Sequence, residues 1–218
     1  IRAANITYNE LACATFDLIE DGTLIDTISL QVPGEHNVLN ALAAITLARL
    51  LDINLQTVKK ALLTFSGTDR RFEYKGEIGG VIVIDDYAHH PTEVAATLSA
   101  ARLRYPTRRI WAVFQPHTYS RTKALLHDYA HSFVDADQVL LLDIYAAREK
   151  IDLGMHSTRL LDAIQHEGAR YAGAIEPAVE YLLESVMPDD VVITLSAGDG
   201  NLVGTMLLDA LRQHENPA

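Results

Sequence analysis

The sequence predicts an α/β protein in two parts: a small antiparallel α+β segment, then a mainly parallel, doubly wound domain. Three observations carry that reading. Apolar runs at 81–85, 110–115, 139–144 and 191–196 alternate with stretches of helical periodicity, the pattern of a parallel sheet with right-handed crossovers. The first two of these runs end in polar turns crowded with ionisable side chains, just before a helix. Upstream of Thr64–Asp69 the pattern differs, with strands following one another and then two helices.

Taken in order, residues 5–10, 12–20 and 23–32 read as three short strands, the last two joined by the turn signal Glu20-Asp21-Gly22-Thr23, so they pair antiparallel. A helix is expected over 37–51 and a second over 55–65, the latter opened by Asn54 as N-cap. The first of these is apolar nearly all round (Val38, Leu39, Ala41, Leu42, Ala43, Ala44, Ile45, Leu47), which predicts a buried helix. Beyond the boundary, helices are expected at 92–104, 121–134, 158–167, 177–186 and 202–214, between and after the four strands. The domains are accordingly 1–66 and 67–218. No internal repeat or low-complexity segment is present.

Composition narrows the function classes. With 49% apolar and 22% charged residues, the 218-residue chain has the balance of a folded globular protein. A net charge of −11 argues against a nucleic-acid surface, so an anionic ligand must be gripped by a few local cations. The single Cys13 cannot form an internal disulfide, which suits the cytoplasm. No signal-peptide pattern opens the chain and no apolar stretch is long enough to span a bilayer. The chain starts at Ile1, without an initiator Met, and reads as a fragment of something longer.

The chemistry concentrates in two turns. Residues 85–92, DDYAHHPT, follow the run Val81, Ile82, Val83, Ile84; residues 115–122, QPHTYSRT, follow Ile110 to Phe114. In open α/β sheets ligands bind beyond the carboxyl ends of the strands, so both turns are candidate binding edges. Each has a bland alternative. His90 caps the helix that follows, Asp85 hydrogen-bonds loop backbone, and Gly198-Asp199-Gly200-Asn201 is a tight turn rather than an anion site. Glu149 and Lys150 form a surface ion pair. Asn37 and Asn40, three apart on the first turn of a helix, serve either capping or a ligand. Two other function classes stay open at this point. One is a metal-dependent hydrolase on Asp85, Asp86, His89, His90 and His117, although the adjacent His89 and His90 diverge in a turn. The other is a non-catalytic interaction domain.

GEHNVLNALAA, GTDRRFE at 67–73, DDYAHHPTE, FQPHTYSRT, LLDIYAAREK at 141–150 and SAGDGN at 196–201 together resemble the Mur ligase family over essentially the whole chain. DDYAHHP with PHTYSRT is similar to the alanine-adding members; the peptide-recycling members share the HHP turn and typically lack PHTYSRT. The resemblance implies ATP-dependent amide formation in peptidoglycan precursor synthesis. ATP phosphorylates the lactyl carboxylate of UDP-N-acetylmuramate, and the amine of L-alanine then displaces phosphate. It also implies three domains, of which residues 1–65 are the later part of the central ATPase domain and the remainder the whole Rossmann-like C-terminal domain. No G-x-x-x-x-G-K-[ST] occurs in the chain, so the phosphate loop and the Mg2+ ligands are expected upstream, and the fragment alone is expected to be inactive.

The resemblance assigns roles residue by residue. Asn37 and Asn40 are similar to the adenine-contacting pair, Asp86 to the ribose carboxylate, and Arg71 to the arginine that reaches the γ-phosphate. His89, with Tyr87, falls where the reacting carboxylate and the incoming amino acid meet. His117 and Arg121 are expected to hold the alanine carboxylate. Family members often carry Arg directly after this His, and here Thr118 stands there, which leaves more of the anion binding to Arg121. No resident metal is expected on these residues, and neither nucleic acid nor membrane is an expected partner.

Overall fold

A computed structural model of the chain describes residues 1–215. They form two compact units, residues 1–68 with 99–104, and residues 69–98 with 105–215. Among the described residues no helix is long and apolar enough to cross a membrane.

The first unit opens with an antiparallel three-stranded sheet: β1 (Arg2–Tyr8), β2 (Cys13–Glu20) and β3 (Thr23–Pro33), in that order. β1 starts and ends earlier than the sequence suggests. Asn9 stops it, because its side-chain oxygen accepts the N–H groups of Leu11 and Cys13, both at 3.0 Å, and turns the chain. The β2–β3 hairpin follows the expectation: Asp21 and Gly22 have φ of 49° and 83°, the pair of left-handed residues that a type I′ turn requires. Helices α1 (His36–Leu50) and α2 (Leu55–Thr64) complete the unit, α2 capped by Asn54, whose side chain accepts Gln56 N–H at 2.8 Å.

The expectation that α1 is buried all round is wrong. Only Val38, Ala41, Ile45 and Ala48 are buried, one i, i+3, i+7, i+10 stripe, of which the first three pack with Phe16, Leu18, Ile28 and Leu30 of the sheet. Leu39, Leu47 and Leu50 are 66%, 58% and 76% exposed. One sheet face covers one stripe, and the helix has apolar residues to spare.

The second unit is a six-stranded, mostly parallel sheet. Its elements are β4 (Glu73–Ile78), β5 (Val81–Asp86), the first part, to Leu98, of α3 (Pro91–Arg104), β6 (Arg109–Phe114), α4 (Tyr119–Ala124), α5 (Leu126–Tyr129), β7 (Gln138–Leu142), α6 (Ser157–Ala163), β8 (Ala169–Gly173), α7 (Ile175–Ser185), β9 (Asp190–Leu195) and α8 (Leu202–Glu215). The strand order is β4-β5-β9-β6-β7-β8, with β4 antiparallel. Side chains alternate across it. Val83, Trp111, Val113, Leu140 and Val192 face α7 and α8, while Phe114 meets Tyr129 and Phe133 with ring centroids 5.4 Å apart.

Two strands are additions to the sequence reading, and one helix is a correction. β4 and β8 lie at the two edges of the sheet and, apart from Gly173, carry only exposed or half-buried residues, so neither shows the apolar run that marks the interior strands. The helix expected over 121–134 is instead two short pieces, broken at Leu125, where φ is −105° and ψ 17°.

Register fixes the location of the site. Asp86 of β5 and Phe114 of β6 both pair with Leu195 of β9. The turns after β5, β6 and β9 therefore emerge side by side at the carboxyl edge of the sheet.

Candidate active site

The turn after β5 is held by its carboxylates. Asp85, 3% exposed, accepts Arg70 Nε at 3.0 Å and Thr194 Oγ1 at 2.7 Å, so it ties the Arg70 loop to β9. This is more than the loop-backbone role expected for it. Asp86, 5% exposed, accepts Phe72 N–H at 2.8 Å through one oxygen and Ala88 N–H at 2.7 Å through the other. Burial pushes its carboxyl above the usual carboxylate range, and the two amides and Arg71 oppose that.

Beyond Asp86 the side chains point to chemistry. The half-exposed Tyr87 ring lies under two cations, with the Arg70 guanidinium 5.0 Å and that of Arg71 5.7 Å from its centroid. The two arginines divide the work. Arg70 has a left-handed φ of 57° and donates to the carbonyls of Ser196 at 2.6 Å and Gly198 at 3.4 Å, fixing the loop after β9; Arg71 is exposed. His89 Nδ1 lies 2.9 Å from the Tyr87 carbonyl, which can only accept, so Nδ1 carries a proton, and the Glu93 carboxylate stands 3.4 Å from the same nitrogen. His90 does what its position suggests: its Nδ1 accepts Thr92 N–H at 3.3 Å, at the start of α3.

The turn after β6 supplies the facing groups. His117 stands between His89 and Tyr145, with ring centroids at 5.5 Å and 5.6 Å, the latter pair stacked at 27°. Burial, with the charges of His89 and Arg121, lowers the His117 pKa, which keeps the ring neutral. Two buried polar atoms here have no hydrogen-bond partner, His117 Nδ1 and one terminal nitrogen of Arg121. Tyr129 lies beside them and donates its hydroxyl to the His89 carbonyl at 2.6 Å; burial raises its pKa to about 12.

The loop after β9 is a scaffold, as the tight-turn reading expects. Buried Gln115 donates to Asp199 Oδ1 at 2.7 Å, and its oxygen accepts Ser196 Oγ and Gly200 N–H, both at 2.9 Å. A Cβ on Gly198 would stand 2.5 Å from the Tyr145 ring and 2.6 Å from Gln115 Oε1, so only glycine lets that ring lie where it stacks on His117. The backbone N–H groups of Gly198 and Gly200 are already engaged by Ser196 and Gln115 side chains, which leaves no anion nest.

Glu149 departs from the expected ion pair with Lys150. It accepts Ser120 N–H at 3.0 Å through one carboxylate oxygen and the Ser120 hydroxyl through the other. Sequence reasoning also missed Tyr145 and Gln115. Both lie within the motifs it quoted, but the signal that involves them is spatial.

In the first unit, Asn40 Nδ2 donates to Asn37 Oδ1 at 3.0 Å, and Asn37 Nδ2 to the Pro33 carbonyl at 2.8 Å. The pair lines a cavity of about 370 Å³ whose other walls are apolar, among them Val32, Ala44, Val58 and Phe65. An apolar slot with an amide pair at its rim has the chemistry to take a flat heteroaromatic base.

Metal chemistry finds no support in these side chains. Among the described residues no three His, Cys, Asp or Glu side chains gather as a metal site. Asp85 and Asp86 spend their oxygens on Arg70, Thr194 and backbone amides, so they do not converge with His89, His90 and His117 on one ion.

A carboxyl-edge site on a doubly wound sheet that gathers two imidazoles, an exposed guanidinium and a buried guanidinium nitrogen without an acceptor has the chemistry to take a small anion. Residues 70–198 match the family described as Mur ligase, glutamate ligase domain, and the chain belongs to that family. The chain is 49% identical over 208 residues to the UDP-N-acetylmuramate–L-alanine ligase of Lachnospira eligens, a match covering 94% of this chain and 45% of the relative. Among solved structures, it resembles the UDP-N-acetylmuramate-alanine ligase MurC of Thermotoga maritima with a TM-score of 0.76 and 27% identity, over 93% of this chain and 44% of that one. The murein peptide ligase of Psychrobacter arcticus follows at 0.68 and 26%, over 96% and 43%. The chain spans about half the length of the curated relatives it matches.

Proposed function

We propose that the chain is the C-terminal part of an ATP-dependent ligase that joins L-alanine to UDP-N-acetylmuramate, residues 1–66 contributing the later part of an ATPase domain and 67–218 an amino-acid-binding domain. The observation that carries the reading is the pair of unpartnered buried polar atoms on His117 and Arg121, beside the ring of His89. A buried donor without an acceptor is costly, and such atoms in a folded protein call for an explanation. A small carboxylate supplies the missing acceptor for Arg121 in the planar geometry a guanidinium prefers.

The remaining roles follow from the side chains at hand. Arg121 and His117 orient the amino acid by its carboxylate, which presents the amine to the acid it attacks; positioning of this kind supplies much of such a rate enhancement. His89, held through Nδ1 by the Tyr87 carbonyl, offers Nε2 to take the proton that the attacking ammonium group must lose. Tyr87 adjoins that ring at 5.5 Å and shapes the approach. Arg71, exposed, reaches the transferring phosphoryl group, and Asp86 uses its remaining lone pairs on the nucleotide ribose. Asn37 and Asn40 read the adenine edge. When bound, ATP supplies the phosphoryl group that activates the acid. The family resemblance puts the Mg2+ ligands in the segment that carries the phosphate loop, and Mg2+ bound there would bridge the ATP phosphates.

The test is alanine titration of the chain followed by 15N chemical shifts of the arginine side chains. Arg121 shifts with L-alanine and not with an alanine amide that lacks the carboxylate; equal shifts, or none, overturn the reading. Phosphate release by this chain alone stays at background with ATP, UDP-N-acetylmuramate and L-alanine all present. Release above background sinks the assignment of the phosphate loop to an upstream segment.

A further inference from the structure

The turn that carries His117 and Arg121 is not held by its own helix. α4 has six residues, its N-cap Thr118 makes no side-chain cap bond, and Thr118 sits at φ 68°, ψ 141°. A β-branched residue adopts a positive φ only where its surroundings enforce it.

The enforcement comes from the segment after β7. The Tyr145 N–H donates to the Pro116 carbonyl and the Tyr145 carbonyl accepts Thr118 N–H, both at 2.8 Å, so a one-residue parallel bridge brackets His117 while the two rings stack. A turn closed by Glu149 N–H to the Ala146 carbonyl, at 3.0 Å, then delivers the Glu149 carboxylate to the start of α4. There it accepts the Ser120 N–H and the Ser120 hydroxyl, and the Tyr119 N–H adds to the same carboxylate. The first N–H groups of any helix lack partners within it, and an N-cap side chain normally supplies one. In α4 that task falls to a residue 29 positions further along the chain.

Arg121 follows Ser120 directly and His117 precedes the strained Thr118, so Glu149 closes the one segment that bears both groups. We propose that Glu149 is a positioning residue for the amino-acid site: by capping α4 from a neighbouring loop it sets where the Arg121 guanidinium and the His117 ring stand, without touching the substrate. The proposal rests on the functional reading above only for the identity of the ligand.

Two measurements test it separately. In the full-length ligase, Glu149→Ala raises the KM for L-alanine about tenfold or more, the effect of losing a hydrogen bond to a charged acceptor. It leaves the KM for ATP within twofold. Glu149→Gln recovers most of the loss, because its amide oxygen still accepts the Ser120 N–H and its NH2 still meets the Ser120 hydroxyl. In the 218-residue chain, hydrogen exchange at the amides of Tyr119, Ser120 and Arg121 speeds up about tenfold in Glu149→Ala, consistent with a lost cap, while α3 and α8 keep their protection. An unchanged alanine KM beside normal alanine dependence of the wild type overturns the proposal. So does Glu149→Gln behaving like Glu149→Ala, or unchanged exchange at the three amides. Should the wild type show no alanine dependence, the functional reading fails, and the exchange experiment alone decides whether Glu149 caps α4.

Discussion

Replacing Arg121 by Met should make the protein more stable and its amino-acid site worse. The side chain is partly buried, and one terminal nitrogen lies buried without an acceptor. Leaving a buried donor unsatisfied costs about 1–3 kcal/mol. Methionine keeps the aliphatic packing and removes that donor, so the ligand-free chain gains on the order of 1 kcal/mol, the low end because Arg121 is not wholly enclosed. For a protein of this size that corresponds to a Tm higher by roughly 2–4 °C. The same change removes the charge-assisted pair with a bound carboxylate, a loss of ~1.5–3 kcal/mol or roughly ten- to a hundredfold in the specificity constant for L-alanine. Thermal unfolding of the chain with and without L-alanine, beside steady-state kinetics of the full-length enzyme, reads both. A Tm lower by several degrees would mean that Arg121 is held by bonds within the fold. Intact alanine dependence with weakened ATP use would mean that the roles of Arg121 and Arg71 are exchanged.

Two predictions concern the ligand-free fold. Asp190, 2% exposed, accepts both Arg109 Nε and Nη2 at 2.9 and 2.6 Å, Trp111 Nε1 at 3.0 Å and Met187 N–H at 2.9 Å. Asp190→Ala strands a guanidinium and an indole N–H and costs about 3–5 kcal/mol; denaturant unfolding followed by fluorescence of Trp111, the single tryptophan, reads it, and a loss below about 1 kcal/mol contradicts the account. His117 titrates below its ordinary value of 6.5 in the folded chain, so the unfolded chain takes up the proton first as pH falls. Its contribution to stability is therefore constant above 6.5 and is lost as pH drops from 6.5 towards the lowered folded value. Unfolding free energies measured across that window should slope less in His117→Asn than in the wild type, and equal slopes refute the assignment.

The sequence reading succeeded where one local signal suffices. Interior strands such as β6, with five of six residues buried, announce themselves as apolar runs, and the turns after them as polar clusters. It failed where the environment is asymmetric. β4 and β8 border the sheet, so their side chains are half solvated and carry no apolar run. α1 reads as apolar nearly all round but is covered along one stripe. Within the site, His89, His117 and Arg121 were legible because they sit in motifs on consecutive strand ends. The partners that hold them were not, because Gln115 works through Ser196 and Glu149 through Ser120, pairs 81 and 29 residues apart. Spacing along a chain carries no trace of such a pairing until the sheet order is known.

That order has a consequence for how the protein is made. β9 sits between β5 and β6, which are synthesised some eighty residues or more before it and do not pair with each other. Until residues 190–195 emerge, the nascent sheet has a gap at its centre, and the turns at 87–90 and 115–118 have no common strand to align them. The edges of β5 and β6 stay unpaired for the same interval, a period in which a nascent chain is open to aggregation. The carboxyl edge is then completed only when β9 inserts between β5 and β6, and a chain truncated before residue 190 lacks the strand that brings the two turns side by side.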